Sequence, residues 1–225
     1  MTAVSPSQAR QNTADAVPPA LAALRAGRPV HVVTDANMED GGAVVLAAAL
    51  ADPTWIAWTV RHTSGLLRAP LEEARADELD LPPMVPRNVA SRGPAYTVSV
   101  DAARGVTTGI SAADRAHTMR VLADAASGPA DLTRPGHVLP MCAQAGGVLT
   151  RPRYTEAAVD LCRLAGLPPV GVIAEVPGGI RGVALGSPTR PLTSSDPTKS
   201  SRRCCAVRAI TARARAPPGA RLGGW

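Results

Sequence analysis

The chain has 225 residues, enough for one domain with a sizeable core and short for two; 45% are hydrophobic but only 2% aromatic, with no phenylalanine, so the core must be built from Val, Leu, Ile and Ala. The net charge of +6 is concentrated: from Pro177 onward nine basic residues face one acid, Asp196, which leaves 15 basic and 17 acidic residues before it. No apolar run is long enough to span a bilayer, no signal-peptide core opens the chain, and Cys142, Cys162, Cys204 and Cys205 follow neither zinc nor secreted-disulfide spacing, so the expectation is a cytoplasmic protein with no membrane partner.

Residues 1–13 read as a disordered polar lead-in. "AVPPALAALRAG" predicts a short helix ended by Gly27, with prolines tolerated in its first turn. "PVHVVTDA" predicts a buried strand, because its apolar run is short and β-branched. "GGAVVLAAALA" fits a strand or a helix equally by pattern. "TWIAWTVRHTSG" has β character, and "PLEEARADELDLPP" reads as a helix closed by prolines. "AYTVSVDAA" alternates with period two, as a half-buried strand does.

In "GVTTGISAADRAHTMRVLADAASGP", Ser111 and Asp114 predict a capped helix start, and the helix runs to about Ala126. "TEAAVDLCRLAGL" predicts a helix ending at Gly166, and "PVGVIAEV" a buried strand. This interleaving, over residues 14–176, predicts an α+β fold: an α/β layered domain with a mixed twisted sheet flanked by helices. Residues 177–225 lose all periodicity and are dense in Pro, Gly, Ser and Arg, which predicts a disordered basic tail. Its abrupt bias also resembles out-of-frame translation of a GC-rich gene, and with no aromatics between its arginines it makes no nucleic-acid partner.

Several clusters carry candidate chemistry. Asp35, Glu39 and Asp40 follow a strand in "TDANMEDGG", where carboxylates suit a hard cation, although taken alone a plain acidic loop is the favoured reading. "VTTGISAADR" offers hydroxyls and backbone N–H groups to an anion, or is simply a helix cap. "TRPGHVLP" places Arg134 and His137 on a turn, with the histidine available as acid or base near neutral pH. Arg151, Arg153 and Thr155 precede a helix, a phosphate-binding arrangement. Glu175 closes "VGVIAEV", where an apolar setting would suit a proton-transferring carboxyl and a solvent-facing one would do nothing.

Taken in order, "RHTSG", "LPPMV", "YTVSVDA", "TTGISAADRA", "RPGHVLP", "GGVLTR" and "TEAAVDLCRLAGL" resemble the 3,4-dihydroxy-2-butanone-4-phosphate synthase family of riboflavin biosynthesis, from about Ala20 to Val176. The resemblance implies a carbon–carbon lyase that converts ribulose 5-phosphate to formate and a four-carbon keto-phosphate. It also implies Mg²⁺ (or Mn²⁺) as cofactor and a homodimer with its sites near the subunit interface. By resemblance, Glu39 is a metal-binding and substrate-binding position, His137 and Glu175 are catalytic, and Arg151 and Thr155 bind substrate.

The departures cluster on the same site. By the same resemblance, Met38 stands for arginine, Gly41 for glutamate, Ala43 for aspartate and Arg68 for an active-site cysteine. Arg153-Tyr154 stands for Gly-His, whose histidine is the second metal ligand, and a neutral phenol is a poor ligand for Mg²⁺. The expectation is a synthase-like protein with weak or lost turnover. The alternatives are a non-catalytic sugar-phosphate-binding paralogue, a heterodimer partner, or altered chemistry on a related sugar phosphate.

Overall fold

The computed structural model describes residues 17–34, 42–89 and 95–176, with the backbone of 191–192 and 205–208. The lead-in, the acidic loop with Asp35, Met38, Glu39, Asp40 and Gly41, and the rest of the tail lie outside the described residues.

Among the described residues five α-helices and nine strands follow in the order α1 (Val17–Arg25), β1 (Val30–Thr34), β2 (Ala43–Ala47), α2 (Pro53–His62), β3 (Arg68–Glu72), α3 (Glu73–Glu78), β4 (Ala95–Tyr96), β5 (Val100–Ala102), α4 (Ala112–Ala123), β6 (Leu132–Ala143), α5 (Tyr154–Leu164), β7 (Gly171–Glu175), β8 (Pro191–Leu192) and β9 (Cys205–Arg208). The strands form one mixed sheet in the order β4-β6-β3-β7-β2-β1-β9-β8, with β5 also paired to β6. Among the described pairs only β3–β6 is parallel. Mixed sheet and flanking helices agree with the layered α+β expectation.

Alternation along the strands divides the side chains into two cores, one on each face. Val44, Leu46, Ala69, Leu71, Val172 and Ala174 pack with Ile56 of α2, Ala76 of α3 and Ala116, Met119 and Leu122 of α4. Val30, Val32, Val45, Met141 and Ile173 pack with Ala20, Ala23 and Leu24 of α1 and with Ala157, Ala158 and Leu161 of α5. Each fully buried Leu, Ile or Met contributes roughly 1.5–3 kcal/mol through the water it leaves. Small alanines let α1 and α5 lie close to the sheet, consistent with a core that has no phenylalanine. Cys142 and Cys162 are free thiols, and burial pushes Cys162 up to about 12.

Two expectations change. "TWIAWTVRH" forms helix α2, not a strand: Asp52 accepts a hydrogen bond from the Thr54 N–H at 2.8 Å, and Pro53 sits in the first turn. A cap and a proline at that position outweigh the weak β preference of Trp, Ile, Thr and Val, because Ile56 and Thr59 gain burial on one helix face. "TRPGHVLP" belongs to the long strand β6 and is not a turn. Its pairing with β5 slips between Val100 and Asp101, so the strand bulges over residues 134–137, where Pro135 and Gly136 lie. The expected strand "AYTVSVDAA" is divided accordingly into β4 and β5.

Candidate active site

The α1–α5 face of the sheet collects most of the expected site residues. Cα partners in a sheet share a face, so Ala43 lies beside Glu175, and Arg68 beside both Ile173 and Leu139. Ile173 and Met141 belong to the core under α1 and α5, which assigns Arg68, Ala43 and Glu175 to that face. Thr155, in the first turn of α5, is buried and donates to Met141 Sδ at 3.8 Å. Both tyrosines, Tyr96 and Tyr154, pack against the same core.

Glu175 is not in an apolar setting. Its carboxylate is half exposed and pairs with the Arg68 guanidinium at 2.9 Å, while Arg68 is buried. Arg68 also donates to the Tyr96 hydroxyl at 3.5 Å, and its Nε finds no partner among the described residues. A buried guanidinium needs a counter-charge, and Glu175 supplies it. The Glu175 carbonyl accepts from the Ser64 N–H at 2.8 Å, which fixes the "RHTSG" turn against the strand end.

His137 lies on β6 two residues before Leu139, the partner of Arg68. Asp101 of β5 holds it twice: Oδ1 accepts the His137 backbone N–H at 2.9 Å, and Oδ2 lies 2.7 Å from the ring Nδ1. Asp101 is buried, whereas the His137 side chain is 41% exposed. The hairpin-like approach that brings them together needs Gly136, because a Cβ there would fall 2.0 Å from the Val100 carbonyl carbon. Sequence reading passed over Asp101; the signal was an acid in the alternating "YTVSVDA", next to Val100, which turns into the opposite core.

"TTGISAAD" folds as a pinned turn. Asp114 Oδ2 accepts from the Thr107 hydroxyl at 2.8 Å and the Gly109 N–H at 3.1 Å, and Ser111 Oγ caps α4 through the Asp114 N–H at 3.0 Å. The Thr107 hydroxyl, with further backbone donors, holds the Asp114 carboxyl below the ordinary value against the opposing effect of burial.

Arg134 and the expected substrate ligand Arg151 both have protein partners. Arg134 donates to the carbonyls of Leu79, Pro129 and Leu132, so it ties β6 to the loops around it. Arg151 Nε donates to Glu156 Oε1 at 2.8 Å, and Glu156, with no exposure, also accepts the Gln144 N–H at 2.8 Å. Arg151 therefore serves as counter-ion to a buried carboxylate. Arg153 occupies the N-cap of α5 without a side-chain cap bond, and Tyr154 opens the helix.

Among the described residues no group of three or more His, Cys, Asp and Glu side chains could hold a metal ion. Ala43 is buried and apolar, and Tyr154 brings a phenol packed against the core. These residues do not make a Mg²⁺ site by themselves, and Glu39 lies outside the described residues. No helix among the described residues is long and apolar enough to cross a membrane.

The family model for 3,4-dihydroxy-2-butanone 4-phosphate synthase matches residues 18–184. The chain is 61% identical over 157 residues to the riboflavin biosynthesis protein RibBA of Salinispora arenicola, covering 70% of this chain and 37% of that protein. Against RibBA of Nocardia farcinica it is 54% identical over 162 residues, covering 72% of this chain and 39% of the relative. The chain thus spans less than two fifths of the length of these curated relatives. The solved 3,4-dihydroxy-2-butanone 4-phosphate synthase of Candida albicans aligns with a TM-score of 0.67 at 44% identity, covering 73% of this chain and 81% of that one. A 3,4-dihydroxy-2-butanone 4-phosphate synthase in complex with two magnesium ions aligns with a TM-score of 0.69 at 41% identity, over 85% of this chain and 83% of the other. With its layered sheet, its placed histidine and a family match over most of its length, the chain belongs to the 3,4-dihydroxy-2-butanone 4-phosphate synthase family.

Proposed function

We propose that this chain converts ribulose 5-phosphate to 3,4-dihydroxy-2-butanone 4-phosphate and formate, at a rate reduced by the company Glu175 keeps. The observation that carries this reading is the Asp101–His137 pair: a histidine whose Nδ1 is engaged by a buried carboxylate presents Nε2 as a base. Enolisation of a ketose phosphate requires such a base beside a carbonyl. Thr155 and Glu175 on the same side of the sheet would contact the sugar phosphate, and a homodimer in the cytoplasm would be the working form.

The reduced rate rests on Arg68. A carboxylate held in an ion pair must give up that partner before it can move a proton, and the guanidinium fills space at the strand end. The same pair favours a second reading, a non-catalytic sugar-phosphate binder that associates with an intact relative.

The test is formate release by the purified full chain with ribulose 5-phosphate and MgCl₂. Slow release that requires His137 supports the synthase reading. Turnover as fast as that of an intact family member sinks the claim of a reduced rate. Binding of ribulose 5-phosphate with no formate released favours the second reading.

A further inference from the structure

We infer that Asp101 is the positioning residue of this site: it fixes the His137 imidazole as the Nδ1–H tautomer, and the Thr107–Gly109 turn is the cover that keeps water from the bond between them. The inference deepens the proposed reaction and rests on it for the catalytic consequence, but the tautomer can be measured without turnover.

The argument starts from what a carboxylate can accept. Asp101 uses one oxygen for the His137 backbone N–H and the other for ring Nδ1, at 2.9 and 2.7 Å. A carboxylate has no proton to give, so Nδ1 must be the donor and Nε2 the lone-pair nitrogen. Locking the backbone and the ring through one side chain removes both the translational and the rotational freedom of the imidazole.

A cationic side chain of α4 interacts with Asp101. Arg115 of α4 faces it, and that guanidinium, half-buried, has an Nε without a hydrogen-bond partner among the described residues. Burial lowers the affinity of Arg115 for its proton, and the Asp101 charge offsets part of that loss.

Gly109 supplies the second, independent observation. Its backbone adopts φ +83°, and a Cβ there would lie 2.0 Å from Asp101 Oδ2 and 2.7 Å from His137 Nδ1. The turn therefore lies directly on the Asp101–His137 bond, at a distance only a glycine permits. Asp114 holds it there through Thr107 and Gly109. Excluding water from this bond strengthens it and prevents the ring from turning.

The substitution Asp101→Asn discriminates sharply. An amide has one acceptor and one donor end. If its oxygen keeps the His137 backbone N–H, its NH₂ faces Nδ1, and the ring must carry its proton on Nε2 instead. ¹⁵N NMR of the imidazoles at about pH 8, where histidine is neutral, reads the tautomer directly; His137→Asn identifies the signal among the four histidines. The expected result is Nδ1–H in the native chain, Nε2–H in Asp101→Asn, and return to Nδ1–H in Asp101→Glu. Formate release should fall at least 100-fold in kcat for Asp101→Asn with KM within about threefold, and recover in part in Asp101→Glu. An unchanged tautomer in Asp101→Asn overturns the inference, and so does a kcat loss that Asp101→Glu fails to relieve at all. A native chain silent in formate release but showing the tautomer exchange would refute the proposed reaction and leave the role of Asp101 standing.

Discussion

The two corners of the site are built to different standards. At the His137 corner every oxygen of Asp101 has a donor, the carboxylate is buried, and a pinned turn closes over the contact. At the Glu175 corner a half-exposed carboxylate answers to one buried guanidinium that still has an unpartnered Nε. The first arrangement is preorganised, since its geometry is over-determined by neighbours that do not react. The second is a single ion pair that balances a buried cation with a carboxylate left half open to solvent. The contrast teaches that one corner can be over-determined by its neighbours while the other hangs on a single residue of an adjacent strand.

The comparison can be broken first at Arg151. If it is the counter-ion of buried Glu156, Arg151→Ala strands a carboxylate of zero exposure and costs about 3–5 kcal/mol, read as a large fall in Tm. An unchanged Tm would return Arg151 to the role of a spare substrate ligand. Next in size, Arg68→Cys frees Glu175 and should raise formate release about tenfold, or ~1.4 kcal/mol of barrier. A further loss of activity would instead make Arg68 a substrate clamp.

The turn over His137 offers the smaller tests. Ser111→Ala removes the cap of α4 and should cost about 1 kcal/mol in thermal unfolding. Asp114 gives the dependence on pH. Its folded pKa lies below the ordinary 3.8, so the stability it contributes is complete above that value and is lost as pH falls through the lower folded one. The gap in Tm between the native chain and Asp114→Asn should therefore narrow below about pH 4; a gap that stays constant there would show that the charge of Asp114 does not matter.

How far the sequence could be read depended on where its information is local. The start of α4 was legible because Ser111 and Asp114 form their bonds within one turn, and β7 because a β-branched run between breakers has few alternatives. Helix α2 was misread: its β-branched and Trp-rich content was weighed above Asp52-Pro53, the cap that decides it. Strand β6 was hidden by Pro135, Gly136 and Pro140, residues that argue against a strand until a bulge is known. At the site, His137, Thr155 and Glu175 were visible as residue types in motifs. Their partners were not, because Asp101 to His137 and Arg68 to Glu175 are contacts between distant segments. Arg151 looked like an anion ligand for the same reason: nothing local reveals that a buried glutamate already claims it.

The parallel seam between β3 and β6 sets when this site can exist during folding. This pair is separated by α3, β4, β5 and α4, and the antiparallel β2–β7 pair beside Glu175 by a still longer segment, all of which must be threaded before they close. Arg68 lies on one side of the seam, and His137 leads into the other side. Loop closure over such long segments is slow, so both pairings belong to the late stages of assembly. A nascent or partly unfolded chain would therefore carry its helices, and even the cap on α4, without a functioning centre, and the chemistry would switch on with the last long-range pairing.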